Sequence, residues 1–471
     1  MKTSAALEAA VKFKGGTRRA DIGGSMAWDF STDLDFQLEL DWMRGFVDNT
    51  LIPLELLITG LNQAELDALW APLKKIVRAR GLWAAHLEPE HGGQGMGQQR
   101  LALMHEILGR SELAPEMFGC QGPDSGNAEL IAVGATEAQK QRWLYPLLCS
   151  QARSAFCLTE PHTSGSDPTG IATRCEREGD EWVLNGEKWF SSNASVADFL
   201  VVMCVTDPQA PPHKRAAMVI VSKGTPGLEL LRDVPTMHHP GEVDDDFLMD
   251  RIGGHTHLRF TNCRVPLDHM IGEPGEGFLL AQKRLGGGRI HHAMRMIGQC
   301  QRAFDMMLER AASRHSRGQP LAKQPMVQDI IAESYSELEM IRLFVMKAAW
   351  TMDSKGAYSK ESRTEISAVK FSTPRILLGV IDRAIQLHGA LGYTCDMPLE
   401  GMYRSARALR LADGADEIHK QSVARLLLEE VEAVEGWPSE HVPSKRAKAR
   451  EQFGHLITQA QAQAKATAKK A

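Results

Sequence analysis

The stretch EWVLNGEKWF, Glu181 to Phe190, contains an Asn–Gly pair between two segments with aromatic and apolar residues. Such a pair is a strong short-range signal for a β-hairpin, and it predicts a turn at Asn185 and Gly186. Further short apolar runs follow at FLVVMCVT, AAMVIVS and HLRFTNCRVP, with no helical pattern between them. Residues 154–270 are therefore predicted to form an antiparallel β domain and not a Rossmann fold.

Helical patterns flank this β region on both sides. Over residues 33–153 apolar positions recur at helical spacing, and Thr136 is placed to cap the segment TEAQKQRWLYPLL. Over residues 271–435 helical segments with short connections indicate a four-helix bundle. The predicted fold class is α+β, with an N-terminal helical domain, a middle β domain and a C-terminal bundle. A tail at 1–32 precedes them, and a peripheral or disordered segment at 436–471 follows.

The composition is that of an ordinary globular protein, with 471 residues, 43% hydrophobic and 24% charged. The net charge of -5 gives no electrostatic argument for nucleic-acid binding. No apolar run is long enough to span a bilayer, and the N-terminus lacks the apolar core of a signal peptide. We expect a cytoplasmic protein, or a mitochondrial matrix protein in a eukaryote, although Glu8 and Asp21 argue against a presequence.

Three features suggest special chemistry but have plainer explanations. The 8 cysteines include no CxxC pair, which predicts reduced, buried thiols. The glycine-rich stretch EPEHGGQGMGQQR, Glu88 to Arg100, lacks the lysine and the preceding strand of a phosphate-binding loop, so we predict a turn between helices. HHPGEVDDDF, His238 to Phe247, matches no zinc or calcium spacing, and no metal site is expected.

Asp413 lies in LRLADGADEIHKQSVAR, Leu409 to Arg425, just before a helical pattern. It is suited to be a helix N-cap, with Asp416 and Glu417 placing negative charge in the first turn. It is equally suited to be a catalytic base. The residues of this stretch alone leave both interpretations open.

Four other segments have ordinary structural explanations when each is taken alone. FCLTEPHTSGSD (156–167) reads as a surface turn after a strand, and KWFSSN (188–193) as a half-buried strand. RHSRGQPL (314–321) reads as a basic helix terminus, and AIQLHGALGY (384–393) as a helix end with a glycine cap.

Together and in this order, these segments resemble the acyl-CoA dehydrogenase family of FAD flavoproteins, over roughly residues 33–432. The matching pieces are TEP…GSD, NGEKWF, RVP, R…G…PL, QLHGALGY and the final DG…IH helix. The resemblance implies the three domains described above, bound FAD, and a homodimer or homotetramer.

The resemblance favours the catalytic interpretation of Asp413. In most of the family the matching residue is Glu, which removes the α proton of an acyl-CoA thioester, and this chain resembles a branch with Asp there. The implied reaction yields a trans-2-enoyl-CoA, with hydride passing to flavin N5. The backbone N–H of Asp413 and a ribityl hydroxyl are implied as donors to the enolate oxygen. Burial beside the acyl chain is expected to raise the pKa of Asp413.

The resemblance also assigns residues to the ligands. Those implied to contact the flavin are Phe156, Leu158, Thr159, Phe190, Ser191 and Ser192. Ser166 is assigned to the FAD or to the CoA pantetheine. Residues assigned to the pyrophosphate and adenosine end, from a neighbouring subunit, are Arg314, Gln386, His388 and Gly389. Asp416 and Glu417 are assigned to the FAD at the helix start, and Arg289 and Arg425 to the CoA substrate.

An electron-transferring flavoprotein is the implied electron acceptor. Two alternatives remain open from sequence. One is an acyl-CoA oxidase or flavin monooxygenase of the same fold, and the other is a non-catalytic protein that binds acyl-CoA or FAD. No motif encodes the length, branching or hydroxylation of the acyl group.

Overall fold

The computed structural model describes residues 32–58, 60–237, 254–431 and 443–468. The predicted tail at 1–32, except Thr32, and the segment HHPGEVDDDF lie outside the described residues. The chain divides into two compact units, Met1–Val423 and Ala424–Ala471.

The N-terminal part of the first unit is helical, as predicted. Its main helices are α1 (Leu34–Phe46), α2 (Gln63–Ala79), α3 (Gln98–Leu108) and α4 (Asp124–Gly134). Shorter helical segments are Val47–Leu51, Ile52–Glu55, Pro89–His91, Ala114–Met117, Glu137–Gln139, Lys140–Leu144 and Tyr145–Leu148. Thr136 is a helix cap, because its hydroxyl accepts from the amide of Gln139 at 3.4 Å. This confirms the cap predicted from the sequence.

An eight-stranded sheet follows, in the order β6-β7-β3-β2-β4-β5-β8, with β1 paired to β4. Its strands are β1 (Ser154–Cys157), β2 (Arg174–Glu178), β3 (Glu181–Ser192), β4 (Phe199–Val205), β5 (Ala216–Ser222), β6 (Leu228–Asp233), β7 (His255–Pro266) and β8 (Met270–Ile271). Most pairs are antiparallel, but β4 runs parallel to β1 and to β2. The predicted antiparallel β domain is therefore confirmed for most strand pairs and is wrong at β4. A long connection through β2 and β3 separates β1 from β4, which permits parallel pairing.

The predicted turn at Asn185 and Gly186 is also wrong. These two residues lie inside β3, where the register against β7 shifts between Leu184 and Gly186. A Cβ on Gly186 would lie 2.7 Å from the Cα of Thr173, and its φ is +146°. The glycine is needed for a β-bulge and a close backbone approach, while the hairpin turn lies between β2 and β3.

The C-terminal part is a bundle of three long helices and shorter ones. Its helices are α5 (Gly277–Ser313), α6 (Pro325–Lys355), α7 (Lys360–His388), α8 (Leu399–Ala408) and α9 (Asp416–Leu428). Two short strands, β9 (His315–Ser316) and β10 (Gln319–Pro320), form a hairpin between α5 and α6. Its two central residues, Arg317 and Gly318, both have positive φ, as a tight hairpin turn requires.

Helix α5 packs unusually closely against α3. A Cβ on Gly298 would lie 2.0 Å from the carbonyl oxygen of Glu106, and one on Gly109 would lie 2.0 Å from that of Arg295. Because neither position has room for a side chain, the two helix backbones come into near contact. This approach places His105 of α3 beside His291 and Arg295 of α5.

The second unit contains the end of α9 and a polar helix, α10 (Pro443–Ala468), whose side chains from Lys445 onward are exposed. This helix lies within the segment predicted to be peripheral. In the part of the chain that the structure describes, no helix is long and apolar enough to cross a membrane. All eight cysteines are free thiols, and six are buried as predicted, while Cys149 and Cys395 are exposed.

Candidate active site

Asp413 lies in the connection between α8 and α9, where two consecutive residues have positive φ. Its φ is +55°, and that of Gly414 is +101°. Helix α9 begins at Asp416, and its first turn bonds to the carbonyl of Ala415. The helix-cap interpretation of Asp413 is therefore wrong, because Ala415 occupies the cap position. The Asp413 side chain is 34% exposed and faces His292, with Oδ2 3.7 Å from Nε2.

Two side chains hold the backbone of this turn. His419 Nε2 donates to the carbonyl oxygen of Asp413 at 3.1 Å. Lys370 Nζ donates to the carbonyl oxygens of Leu409 at 2.8 Å and Gly414 at 3.3 Å. Because these hydrogen bonds join the turn to α7 and α9, they fix the backbone that carries the Asp413 carboxylate.

Positive charge surrounds the Asp413 carboxylate. Burial raises its pKa, but the groups facing it lower this pKa by more, so the net pKa lies below its ordinary value. In decreasing order of effect these groups are His292, Arg284, Arg289 and Lys370. The raised pKa expected from burial is therefore wrong for Asp413, because the cations of the cleft outweigh the effect of burial.

Arg284 connects this cleft to the β domain. Its guanidinium lies over the ring of Phe156, 4.0 Å from the centroid, and its Nε donates to Asn127 Oδ1 at 3.2 Å. Phe156, assigned to the flavin from sequence, is thus in contact with a cation that acts on Asp413. The structure brings these two predicted positions into one region.

The two predicted flavin segments are joined by a backbone hydrogen bond. The amide of Trp189 donates to the carbonyl of Thr159 at 2.9 Å. Lys188, which is fully buried, donates from Nζ to the carbonyl of Leu158 at 2.9 Å and to Glu160 Oε1 at 2.8 Å. This ion pair fixes the strand ends that carry Leu158 and Thr159.

The residues at these strand ends fit a bound flavin. Phe190 is 43% exposed and has a φ of +51°, next to a register shift between Lys188 and Ser191. The indole nitrogen of Trp189 and the hydroxyl of Ser191 are buried and have no partner within the described protein. Ser192 Oγ is 2.9 Å from His255 Nδ1. An exposed aromatic face beside unpartnered polar groups suits a planar ligand with polar edges.

The other predicted cofactor residues lie at the end of the bundle. Arg310 Nη2 donates to the carbonyl of His388 at 3.4 Å, so the ends of α5 and α7 are adjacent. Arg314, Gln386 and Gly389 are exposed at these ends. Among the described residues, no hydrogen bond or ion pair connects this group with the flavin segments.

Four predicted positions have other surroundings. Ser166 is exposed in the loop after β1. Asp416 is buried and accepts from Arg410 Nε at 2.8 Å, which leaves its Oδ1 without a partner in the described chain. Glu417 is exposed, and Arg425, in the second unit, pairs with Glu429 at 2.8 Å.

A polar cavity of about 80 Å³ beside Asp413 was missed by the sequence analysis. Besides Asp413 and Arg289, its charged and imidazole lining consists of His86, His105, Glu129, Arg284, His291, His292 and Arg295. The signal was present in RIHHAMR, 289–295, where polar residues occupy successive turns of an otherwise apolar helix.

Comparisons with known proteins agree with this architecture. Family models match the N-terminal, middle and C-terminal domains of acyl-CoA dehydrogenase over residues 37–150, 155–242 and 275–428. The chain is 42% identical over 356 residues to FadE2, a probable acyl-CoA dehydrogenase of Mycobacterium tuberculosis, covering 75% of this chain and 84% of that protein. A solved structure assigned to an acyl-CoA dehydrogenase of Mycobacterium abscessus has a TM-score of 0.79 and 37% identity, covering 85% of this chain and 99% of that one.

An animal relative is longer than this chain. The match to acyl-CoA dehydrogenase family member 10 of Mus musculus is 39% identical and covers 81% of this chain. The chain spans only 36% of that relative's length, and 49% of the length of human family member 11. The mycobacterial relative, by contrast, matches this chain over 84% of its own length. The chain belongs to the acyl-CoA dehydrogenase family and is an FAD-dependent oxidoreductase.

Proposed function

We propose that the protein dehydrogenates an acyl-CoA thioester between its α and β carbons, and that Asp413 removes the α proton. The observation that carries the proposal is the carboxylate of Asp413, fixed by its backbone and facing a cleft rimmed by Arg284 and Arg289. Family membership indicates the reaction type, and the Asp413 carboxylate is suited to be the base of that reaction.

The low pKa of Asp413 keeps it ionised at neutral pH, ready to accept a proton. A weaker base removes a proton more slowly unless the negative charge that develops on the substrate is stabilised. Arg289, which lines the cavity and faces Asp413, would supply positive charge near the reacting carbons. On this proposal Arg289 lies on the substrate side, as the family resemblance implies.

FAD, when bound, supplies the acceptor for the β hydride. On this proposal Phe156, Leu158, Thr159, Phe190, Ser191 and Ser192 hold the flavin, and Ser166 contacts the FAD or the pantetheine. Asp416 and Glu417 lie near the FAD, and Arg425 near the CoA. The protein's part is to orient the two reactants and to exclude water, because the redox chemistry is the cofactor's.

We also propose that the working protein is a homodimer or homotetramer that passes electrons to an electron-transferring flavoprotein. Arg314, Gln386, His388 and Gly389 would then complete the FAD site of a neighbouring subunit. Exposed apolar side chains on α6, Met340, Leu343 and Trp350, recur on one helix face and are suited to a subunit contact.

The deciding experiment is anaerobic titration of the purified holoenzyme with a panel of acyl-CoA thioesters. Bleaching of the flavin absorbance with at least one thioester is expected. A flavin that stays oxidised with every thioester would favour the non-catalytic alternative. Rapid reoxidation of reduced enzyme by air, with formation of peroxide, would favour the oxidase alternative.

A further inference from the structure

The polar groups of the cavity beside Asp413 are incompletely satisfied by the protein. His105 is fully buried, and His291 is 8% exposed, with their rings stacked 4.4 Å apart. The Nε2 atoms of both, and Nε of Arg289, have no partner within the described chain. Leaving a buried polar group unpaired costs about 1–3 kcal/mol, so three such groups around one cavity call for an explanation.

The hydrogen bond from Arg295 determines which ring nitrogen of His105 carries the proton. Arg295 Nε lies 3.2 Å from His105 Nδ1, and a guanidinium can only donate, so Nδ1 is the acceptor. Burial first, and then the neighbouring cations, hold the pKa of His105 well below its ordinary value, so the ring is neutral. A neutral ring that accepts at Nδ1 carries its proton on Nε2. His105 therefore offers the cavity an N–H that no atom of the described residues accepts.

The three arginines around the cavity outnumber the two carboxylates that line it, Asp413 and Glu129. Arg284 and Arg289 face Asp413, but among the described residues none of the three arginines forms an ion pair within 4.0 Å. Arg295 donates to the carbonyl of Cys120 at 2.8 Å and to Gln121 Oε1 at 3.4 Å, both of which are neutral. Burying Arg295 against dipoles alone is unfavourable, and an oxygen acceptor from a ligand would relieve it.

A larger cavity elsewhere shows the opposite pattern. It has a volume of about 240 Å³, and its charged lining includes Lys74, Arg78, Glu116 and Arg153. Lys74 pairs with Glu116, Arg153 pairs with Asp67 at 2.5 Å, and Arg78 donates to the carbonyl of Leu148 at 2.9 Å. Among the described residues, no side chain lining this larger cavity has an unpartnered buried polar atom, whereas three such atoms lie around the Asp413 cavity.

We propose that this cavity receives an oxygen-bearing group on the acyl chain of the substrate, a hydroxyl or a carboxylate, with His105 donating to it and Arg289 and Arg295 supplying positive charge. The inference rests on the proposed function, since the cavity is continuous with Asp413. A cavity of about 80 Å³ has room for a small polar group and not for a long apolar tail.

The test compares matched acyl-CoA thioesters of one chain length: unsubstituted, hydroxylated, and carboxylated at the chain end. kcat/KM is measured with the holoenzyme, and binding of the matching non-oxidisable thioethers is measured by calorimetry. We expect one of the oxygenated thioesters to be preferred over the unsubstituted one by at least about 100-fold, because a site built to hydrogen-bond rejects analogues without the group.

Two variants test whether His105 causes the preference for the oxygenated thioester. His105→Leu removes the donor at similar volume, whereas His105→Gln keeps an N–H. The preference for the oxygenated thioester should fall by about 10-fold or more in His105→Leu and by less in His105→Gln. FAD content and Tm establish that each variant is folded.

The outcomes separate the two proposals. Equal kcat/KM and equal binding of all three thioesters by the unaltered protein would overturn the polar-substrate inference, and leave a cavity filled by water. An equal fall in kcat/KM for all three thioesters in His105→Leu would show that His105 does not donate to the oxygen-bearing group. Tight binding of the oxygenated thioether without flavin reduction by any thioester would sustain the cavity assignment and contradict the proposed dehydrogenation.

Discussion

His292 and Asp413 face each other across the cleft, with His292 Nε2 3.7 Å from Asp413 Oδ2. That separation exceeds a hydrogen bond, so the two groups interact through charge only when His292 is protonated. Burial and then the cation Arg295 lower the pKa of His292 to about 4, so its ring is neutral near pH 7. His292 lowers the pKa of Asp413 most because it is protonated at the acid pH where that carboxyl titrates, whereas near pH 7 the cations that face Asp413 are Arg284, Arg289 and Lys370.

The pH profile should reflect this arrangement. A base whose pKa is depressed is ionised above that pKa, and activity is lost only as the pH falls through it. The pKa values of His86, His292 and His419 are each lowered to about 4, with burial as the main cause. We therefore expect these histidines to give no step in kcat/KM near the ordinary histidine pKa of about 6.5. Burial raises the pKa of Glu129, which also lines the cavity, to about 7, so an inflection near that pH should disappear in Glu129→Gln. An inflection near pH 6.5 that persists in Glu129→Gln would contradict the charge assignments.

Asp413→Asn tests the base directly. The side chain makes no cap, so the substitution should leave the fold and FAD content intact, while flavin reduction by acyl-CoA falls by at least about 100-fold. Asp413→Glu, which extends the carboxylate by one methylene, is the companion and should retain measurable reduction. Stopped-flow absorbance of the flavin measures both. Near-normal reduction in Asp413→Asn would move the search for the base to other residues of the cleft.

The contact between α3 and α5 predicts opposite effects for two glycine substitutions in helices. Gly298→Ala places a Cβ 2.0 Å from the carbonyl oxygen of Glu106, so it should destabilise the protein by about 1–3 kcal/mol through overpacking. Gly379→Ala is the control, because its Cβ meets nothing closer than Arg383 at 3.8 Å, and it should stabilise α7 by up to about 1 kcal/mol. Denaturant unfolding of the holoenzyme compares them. Equal effects would show that the helices are not in near contact.

The domain order was predictable from sequence because helical and strand patterns are local, and each domain keeps one pattern throughout. The error at Asn185 and Gly186 has a physical cause. The same dipeptide serves a tight turn or a β-bulge, and only the backbone of Thr173, which is distant in sequence, selects the bulge. Local residues do not encode that contact.

The candidate site, too, was predictable only in part from the sequence. Asp413 was identified from its family motif, but its surroundings were not, because its pKa depends on side chains from α5 and α7. The His105–His291 stack forms only where α3 and α5 come together, so no single motif contains it. The helix-cap error followed from reading Asp413 as adjacent to a helix that begins three residues later.

Arg314→Ala tests the proposed sharing of FAD between subunits. Arg314 is exposed where α5 ends, and its planar donor fork suits a pyrophosphate. If it binds the FAD of a neighbouring subunit, the variant should lose FAD and dissociate more readily, as measured by flavin absorbance and sedimentation velocity. Arg317→Ala is the matched control in the same hairpin. Removing the charge of Arg317 should leave FAD content unchanged, because Arg317 lies in the tight turn between β9 and β10, with a φ of +52°. A fully flavinylated monomer in the Arg314→Ala variant would show that each subunit binds its cofactor alone.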